Sequence, residues 1–149
     1  MILRQDIPSG YLYCLSGDRC PKAETCLHAI AARLQTDGSG KPSQTLHTVS
    51  PYYLDSLPGM DSCPFYRSNV LQQYARGMTH LFDDVPLRLS SLVRHRVMNC
   101  FSCERYFYHS RKGDRLITPA EQQGIAEVFR RSGISTPPKF DGYVDALAW

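Results

Sequence analysis

Four of the six cysteines in this 149-residue chain fall within its first 63 positions: Cys14, Cys20, Cys26 and Cys63. Thiolates are soft ligands, and a tetrahedral zinc ion takes four donors converging on one point. Five residues separate Cys14 from Cys20, and five more separate Cys20 from Cys26. This spacing differs from the paired C-x-x-C knuckles of a zinc ribbon. A loop cysteine, a cysteine at a helix start and one on the next turn can still meet, with Cys63 crossing over from a neighbouring segment. Zinc is the expected metal because it serves a purely structural role without redox chemistry. The same thiols suit an iron–sulfur cluster. His28 can replace one thiolate; otherwise it is an exposed helical histidine. The competing reading needs no metal at all. Free cysteine packs as a small hydrophobe, and Cys14 lies in the apolar run Tyr11-Leu-Tyr-Cys-Leu15.

Cys100 and Cys103 form a C-x-x-C pair. Such a pair is half of a zinc site, a redox couple or two structural thiols. His109 is near enough in sequence to join it. Just beyond, Arg105, Tyr106, Tyr108, Arg111, Lys112 and Arg115 interleave cations with aromatics. Rings can stack on bases while cations meet phosphates, so this segment is a candidate RNA contact. The plainer reading makes the rings half-buried packing and the charges a solvated face.

The net charge of +3 does not by itself call for nucleic acid. Its distribution is more informative. Between Pro86 and Leu116 seven basic side chains face two acidic ones. Known catalytic signatures are missing: no G-x-S-x-G, P-loop, H-E-x-x-H or dinucleotide-binding glycine pattern occurs. Cys63 with His80, or Cys103 with His109, would make a thiol–imidazole pair, but six cysteines and five histidines offer such pairs by chance. No small-molecule substrate is suggested. No apolar run approaches a membrane span, and the N-terminus lacks a signal-peptide pattern. The expected location is the cytoplasm, where disulfides rarely persist.

These residues need elements to position them. Pro21 and the spacing of Ala23, Leu27, Ile30, Ala31 and Leu34 predict a helix over about 21–34. Gly38, Gly40 and Pro42 predict a loop over about 36–43. Thr45–Val49 is a short extended segment. Ser68 caps an expected second helix holding Val70, Leu71, Tyr74 and Ala75, and a third is expected from Pro86 to about Asn99. Thr118-Pro-Ala-Glu121 is a capping box with proline in the first turn, and Gly133 suits a stop. The spacing of Phe140, Tyr143, Val144 and Leu147 suggests a final helix. The expected fold is mainly α: one compact domain over 1–149, of four to five helices with at most a small β element. Its cysteine-cluster part covers about 1–67, and its helical part about 68–149.

Several stretches taken together resemble a family of small cysteine-containing proteins from anaerobic gut bacteria, known as a domain of unknown function. They are Cys20-Pro-Lys-Ala-Glu-Thr-Cys26-Leu, Cys63-Pro-Phe-Tyr, Gly77-Met-Thr-His80-Leu-Phe82, Arg115-Leu-Ile-Thr-Pro-Ala-Glu-Gln122, Val128 to Ile134 and Phe140-Asp-Gly-Tyr143 through Trp149. The resemblance covers most of the chain and implies no activity. The function expected from the residues is a non-enzymatic, zinc-stabilised adaptor or regulatory domain binding a protein or RNA partner. The alternative is a redox protein using thiols or an iron–sulfur cluster.

Overall fold

A computed structural model describes residues 2–36 and 43–149. The loop expected over 36–43 therefore falls mostly outside the described residues. The chain divides into two compact units, Met1–Leu71 with Leu147–Trp149, and Gln72–Ala146.

The first unit is built from short elements. Strand β1 (Leu12–Tyr13) pairs in parallel with β2 (His47–Thr48). Helix α1 runs over Leu27–Arg33 and α2 over Pro51–Asp55, where the Ser50 hydroxyl accepts the Tyr53 N–H. Helix α1 starts later than its apolar spacing predicts. Thr25–Leu27 instead pairs with Arg67–Asn69: the Leu27 N–H donates to the Arg67 carbonyl at 2.7 Å, and the Asn69 N–H to that of Thr25 at 2.9 Å. This pairing holds Cys26 extended, at φ −95° and ψ 120°, so it becomes the helix N-cap. Cys20 lies in the loop before it, not at a helix start.

The second unit centres on an antiparallel sheet in which strand β3 (Gln72–Arg76) lies between β4 (Leu116–Ile117), paired at one end, and β5 (Gly142–Ala146), paired along its length. Helices α3 (Leu87–Met98), α4 (Glu104–Lys112) and α5 (Pro119–Arg131) complete it. Phe107, Met78, Ile117, Ile125, Val93 and Val97 form the fully buried centre. Each such side chain contributes about 1.5–3 kcal/mol on burial.

The mainly α expectation is overturned. Five strands in two sheets accompany the five helices among the described residues, giving a mixed α/β fold. The second expected helix is strand β3 and the final one is strand β5. Gln72, Gln73, Ala75 and Arg76 have no strong strand preference, and pairing on both edges overrides their local tendency. Two other elements agree with the sequence. The third helix ends within a residue or so of its expected limits, and Thr118 and Glu121 form the reciprocal capping box of α5.

Candidate metal centre

The first unit brings Cys14, Cys20, Cys26 and Cys63 to the wall of one small cavity of about 20 Å³. Each arrives by a different local device. Cys14 follows β1, and its N–H donates to the His28 carbonyl at 3.1 Å. Cys20 ends a 3₁₀ turn over Gly17–Arg19, and Cys63 follows another over Met60–Ser62. Cys26 is buried at the head of α1, where its carbonyl accepts the Ala29 and Ile30 N–H groups. The Thr25–Leu27 pairing with Arg67–Asn69 carries the Cys63 segment alongside. All four are free thiols.

Among the described residues, no three His, Cys, Asp or Glu side chains are grouped closely enough to hold an ion. The thiols share a cavity without converging inside it. Cys14, Cys20 and Cys63 are half-buried at loop positions. The volume suits a single atom-sized occupant, since a water already needs roughly 10–15 Å³ by a comparable measure.

The remaining wall supplies an imidazole, an ammonium, the buried Ser16 hydroxyl and largely apolar groups: His28, Lys22, Ser16, Ala29, Leu54, Phe65 and Tyr66. His28 is buried at 7% exposure, which corrects the expectation of an exposed helical histidine. Its Nδ1 lies 2.6 Å from the Leu12 carbonyl oxygen. That oxygen can only accept, so Nδ1 carries the proton. Tyr11 stacks on the imidazole with centroids 4.8 Å apart and planes 17° from parallel, and Trp149 meets Tyr11 edge-on at 5.1 Å. Burial holds the His28 pKa below the usual imidazole range, a shift opposed by the Leu12 bond and helped by the nearby Arg67 charge. The Tyr11 hydroxyl is buried without a hydrogen-bond partner among the described residues. Burial, then proximity to Cys26, pushes its pKa up to about 12. Lys22 reaches over the Tyr66 ring, 5.0 Å from its centroid, and donates to the Asp61 carbonyl. Sequence reasoning misses Tyr11, Lys22, Tyr66 and Arg67 here; the one available signal is that they flank the cysteines.

The other sequence candidates lie in the second unit. Cys100 packs against its core, and its Sγ donates to the Arg96 carbonyl at 3.6 Å. Burial, then the Glu121 charge, raises its pKa, which disfavours the thiolate needed for ligation or exchange. Cys103 is exposed as the N-cap of α4, a helix the sequence reading omits. His80 is exposed and bonded to Asp83 at 2.8 Å.

The basic–aromatic run is divided between packing and solvent. Phe107 is buried, whereas Tyr106 and Tyr108 are exposed at 43% and 44%. Arg105 and Lys112 are exposed, and Arg111 is half-buried. Arg115 is committed elsewhere. Both of its terminal nitrogens donate to the Glu121 carboxylate at 2.9 Å, and its guanidinium lies 4.7 Å from the Tyr106 ring centroid. On α3, Arg88, Arg94, His95 and Arg96 add exposed basic groups.

A family model described as a family of unknown function, DUF6078, matches residues 1–149. The chain belongs to the DUF6078 family. Membership spans both units, so the cysteine cavity and the helical–sheet unit lie within one family region. No curated protein and no solved structure matches the chain. No helix among the described residues is long and apolar enough to cross a membrane.

Proposed function

We propose that the first unit of this DUF6078 protein binds one zinc ion at the cavity lined by Cys14, Cys20, Cys26 and Cys63, and that the chain acts as a non-enzymatic adaptor or regulator. The observation that carries this reading is the arrival of four thiols, from four separate local devices, at one cavity of about 20 Å³. Burying four cysteines as packing would not require them to share a wall. The volume favours a single ion over an iron–sulfur cluster, which is several atoms across. Zinc held this way stabilises the fold, as in other small units made of short elements. The proposed location is the cytoplasm, where thiols stay reduced.

The partner is a macromolecule, RNA or a nucleoprotein. Support comes from the exposed cations of α3 (Arg88, Arg94 and Arg96) and, on α4, from exposed Arg105 and Lys112 with the exposed ring of Tyr108. Arg115 and Tyr106 serve that surface poorly, because they are engaged with Glu121 and with each other. Phosphate contact gives affinity that falls steeply with salt. Binding of a short single-stranded RNA that is absent, or unchanged between about 50 and 200 mM salt, removes the RNA part of the proposal.

A second reading is thiol redox chemistry. It is favoured by the thiols lining the cavity without converging on a ligand position. Metal content of protein purified without oxygen separates the two. One zinc per chain, released with loss of structure by a chelator, supports the first. Metal-free protein that forms a reversible disulfide among these four cysteines supports the second.

A further inference from the structure

We infer that His28 is a ligand of this site through Nε2, completing a set with Cys20, Cys26 and Cys63, and that Cys14 lies outside the coordination sphere. The inference rests on the zinc reading above and refines its donor set.

Five donors line the cavity, four thiols and one imidazole, and a structural zinc ion takes four. The imidazole is the best prepared of the five. Its Nδ1–H donates to the Leu12 carbonyl at 2.6 Å, which fixes the tautomer and leaves the Nε2 lone pair for a metal. A histidine ligand is characteristically held by such a bond from its other nitrogen. The Tyr11 ring, stacked at 4.8 Å, keeps the imidazole plane in place. Cys26 precedes His28 by two residues, and in a helix such a pair diverges. Cys26 is extended at the N-cap, so that rule does not apply here.

Cys14 is the least prepared thiol. Its Sγ is already engaged, 3.2 Å from the hydroxyl of Ser16, a buried residue on the same cavity wall. Cys14 also borders a second cavity, lined by Leu15, Gly17, Asp18, Ala32, Arg33 and others, that none of the remaining thiols or His28 reaches.

The test uses the full chain loaded with zinc or cobalt(II). Long-range ¹H–¹⁵N correlation of the histidine rings, with His28 assigned by its loss in His28→Asn, should place the His28 Nε2 resonance in the metal-bound range while Nδ1 stays protonated. Cobalt(II) should give thiolate charge-transfer absorption of the strength of three thiolates, not four. Competition with a chelator should show Cys14→Ser within about threefold of the parent in zinc affinity, and Cys20→Ser weakened by at least about 100-fold. If His28→Asn does not fold, through-bond correlation from the His28 backbone amide assigns the ring, and the spectrum of the unmutated protein still decides the matter. One bound zinc with a four-thiolate cobalt spectrum and an unshifted His28 ring overturns this inference and leaves the zinc reading standing. A chain that binds neither metal overturns both.

Discussion

Replacing Glu121 by glutamine tests whether Arg115 is a structural clamp or a free surface cation. The Glu121 carboxylate accepts both Arg115 terminal nitrogens at 2.9 Å and the Thr118 N–H at 2.9 Å. The two side chains are 27% and 12% exposed, so solvent screens the pair only in part. In Glu121→Gln the remaining oxygen can keep the Thr118 bond, while the new amide nitrogen faces an Arg115 donor. The loss is one charge-assisted hydrogen bond and the pair's attraction, about 1.5–3 kcal/mol by general experience, and nearer the lower end because Arg115 keeps some water contact. Glu121→Ala removes the capping contact as well, for about 1 kcal/mol more. The sole tryptophan, Trp149, groups with the first unit, and α5 belongs to the second. Urea unfolding followed by far-ultraviolet circular dichroism, with amide exchange of α5 read by NMR, gives the relevant stability. A change below about 0.5 kcal/mol in Glu121→Gln, with α5 exchange unaltered, refutes the clamp and returns Arg115 to the pool of available cations.

Three further expectations follow from other parts of the structure. Gly77 has φ +73°, and a Cβ there would overlap the Asp141 carboxylate that accepts the Thr79 N–H and hydroxyl. Gly77→Ala should therefore cost at least about 2 kcal/mol in the second unit, since left-handed strain alone is about 1–2 kcal/mol; a thermal shift under 2 °C contradicts the clash. Tyr11→Phe removes a buried hydroxyl with no partner among the described residues. The metal-free protein should be as stable or up to about 1 kcal/mol more stable, and a clear loss in urea unfolding would reveal a bond made by that hydroxyl. Glu127 is held by Arg130 and Arg131, which depress its carboxyl pKa to about 2. A depressed carboxyl pKa contributes stability above the unfolded value, 4.5, that fades as pH falls toward 2. Carboxyl ¹³C titration should show this low value moving back toward 4.5 in high salt, as expected of an exposed group; an ordinary midpoint at low salt means the Arg130 and Arg131 contacts do not persist in solution.

The sequence discloses elements whose signals are local. The capping box at Thr118 and Glu121, the stripe of Val93 and Val97, and Gly133 at φ +73° after α5 each leave a pattern in neighbouring residues. Strand β3 leaves none. Gln-Gln-Tyr-Ala-Arg becomes extended because β4 and β5 bond to it from distant parts of the chain. In β5, Tyr143 and Val144 fall at a spacing that also suits a helix, while their ring and branched side chain favour the strand. Helix α4 hides because only Phe107 and Ser110 of its residues are buried. At the cysteine cavity, the thiols are legible as a set from their crowding at the N-terminus. The parts contributed by Tyr11, Lys22 and the His28–Leu12 bond depend on how β1, α1 and the Arg67 segment meet, and no spacing rule encodes that meeting.

The most direct measurement of the central proposal is elemental analysis of the chain purified without oxygen or added chelator, paired with a thiol count before and after chelation. One zinc per chain is expected. Chelation should release the metal, expose Cys20, Cys26 and Cys63 to a thiol reagent, and change Trp149 fluorescence through its contact with Tyr11. Protein free of zinc and iron, with these thiols equally reactive and Trp149 unchanged on adding chelator or zinc, would contradict it.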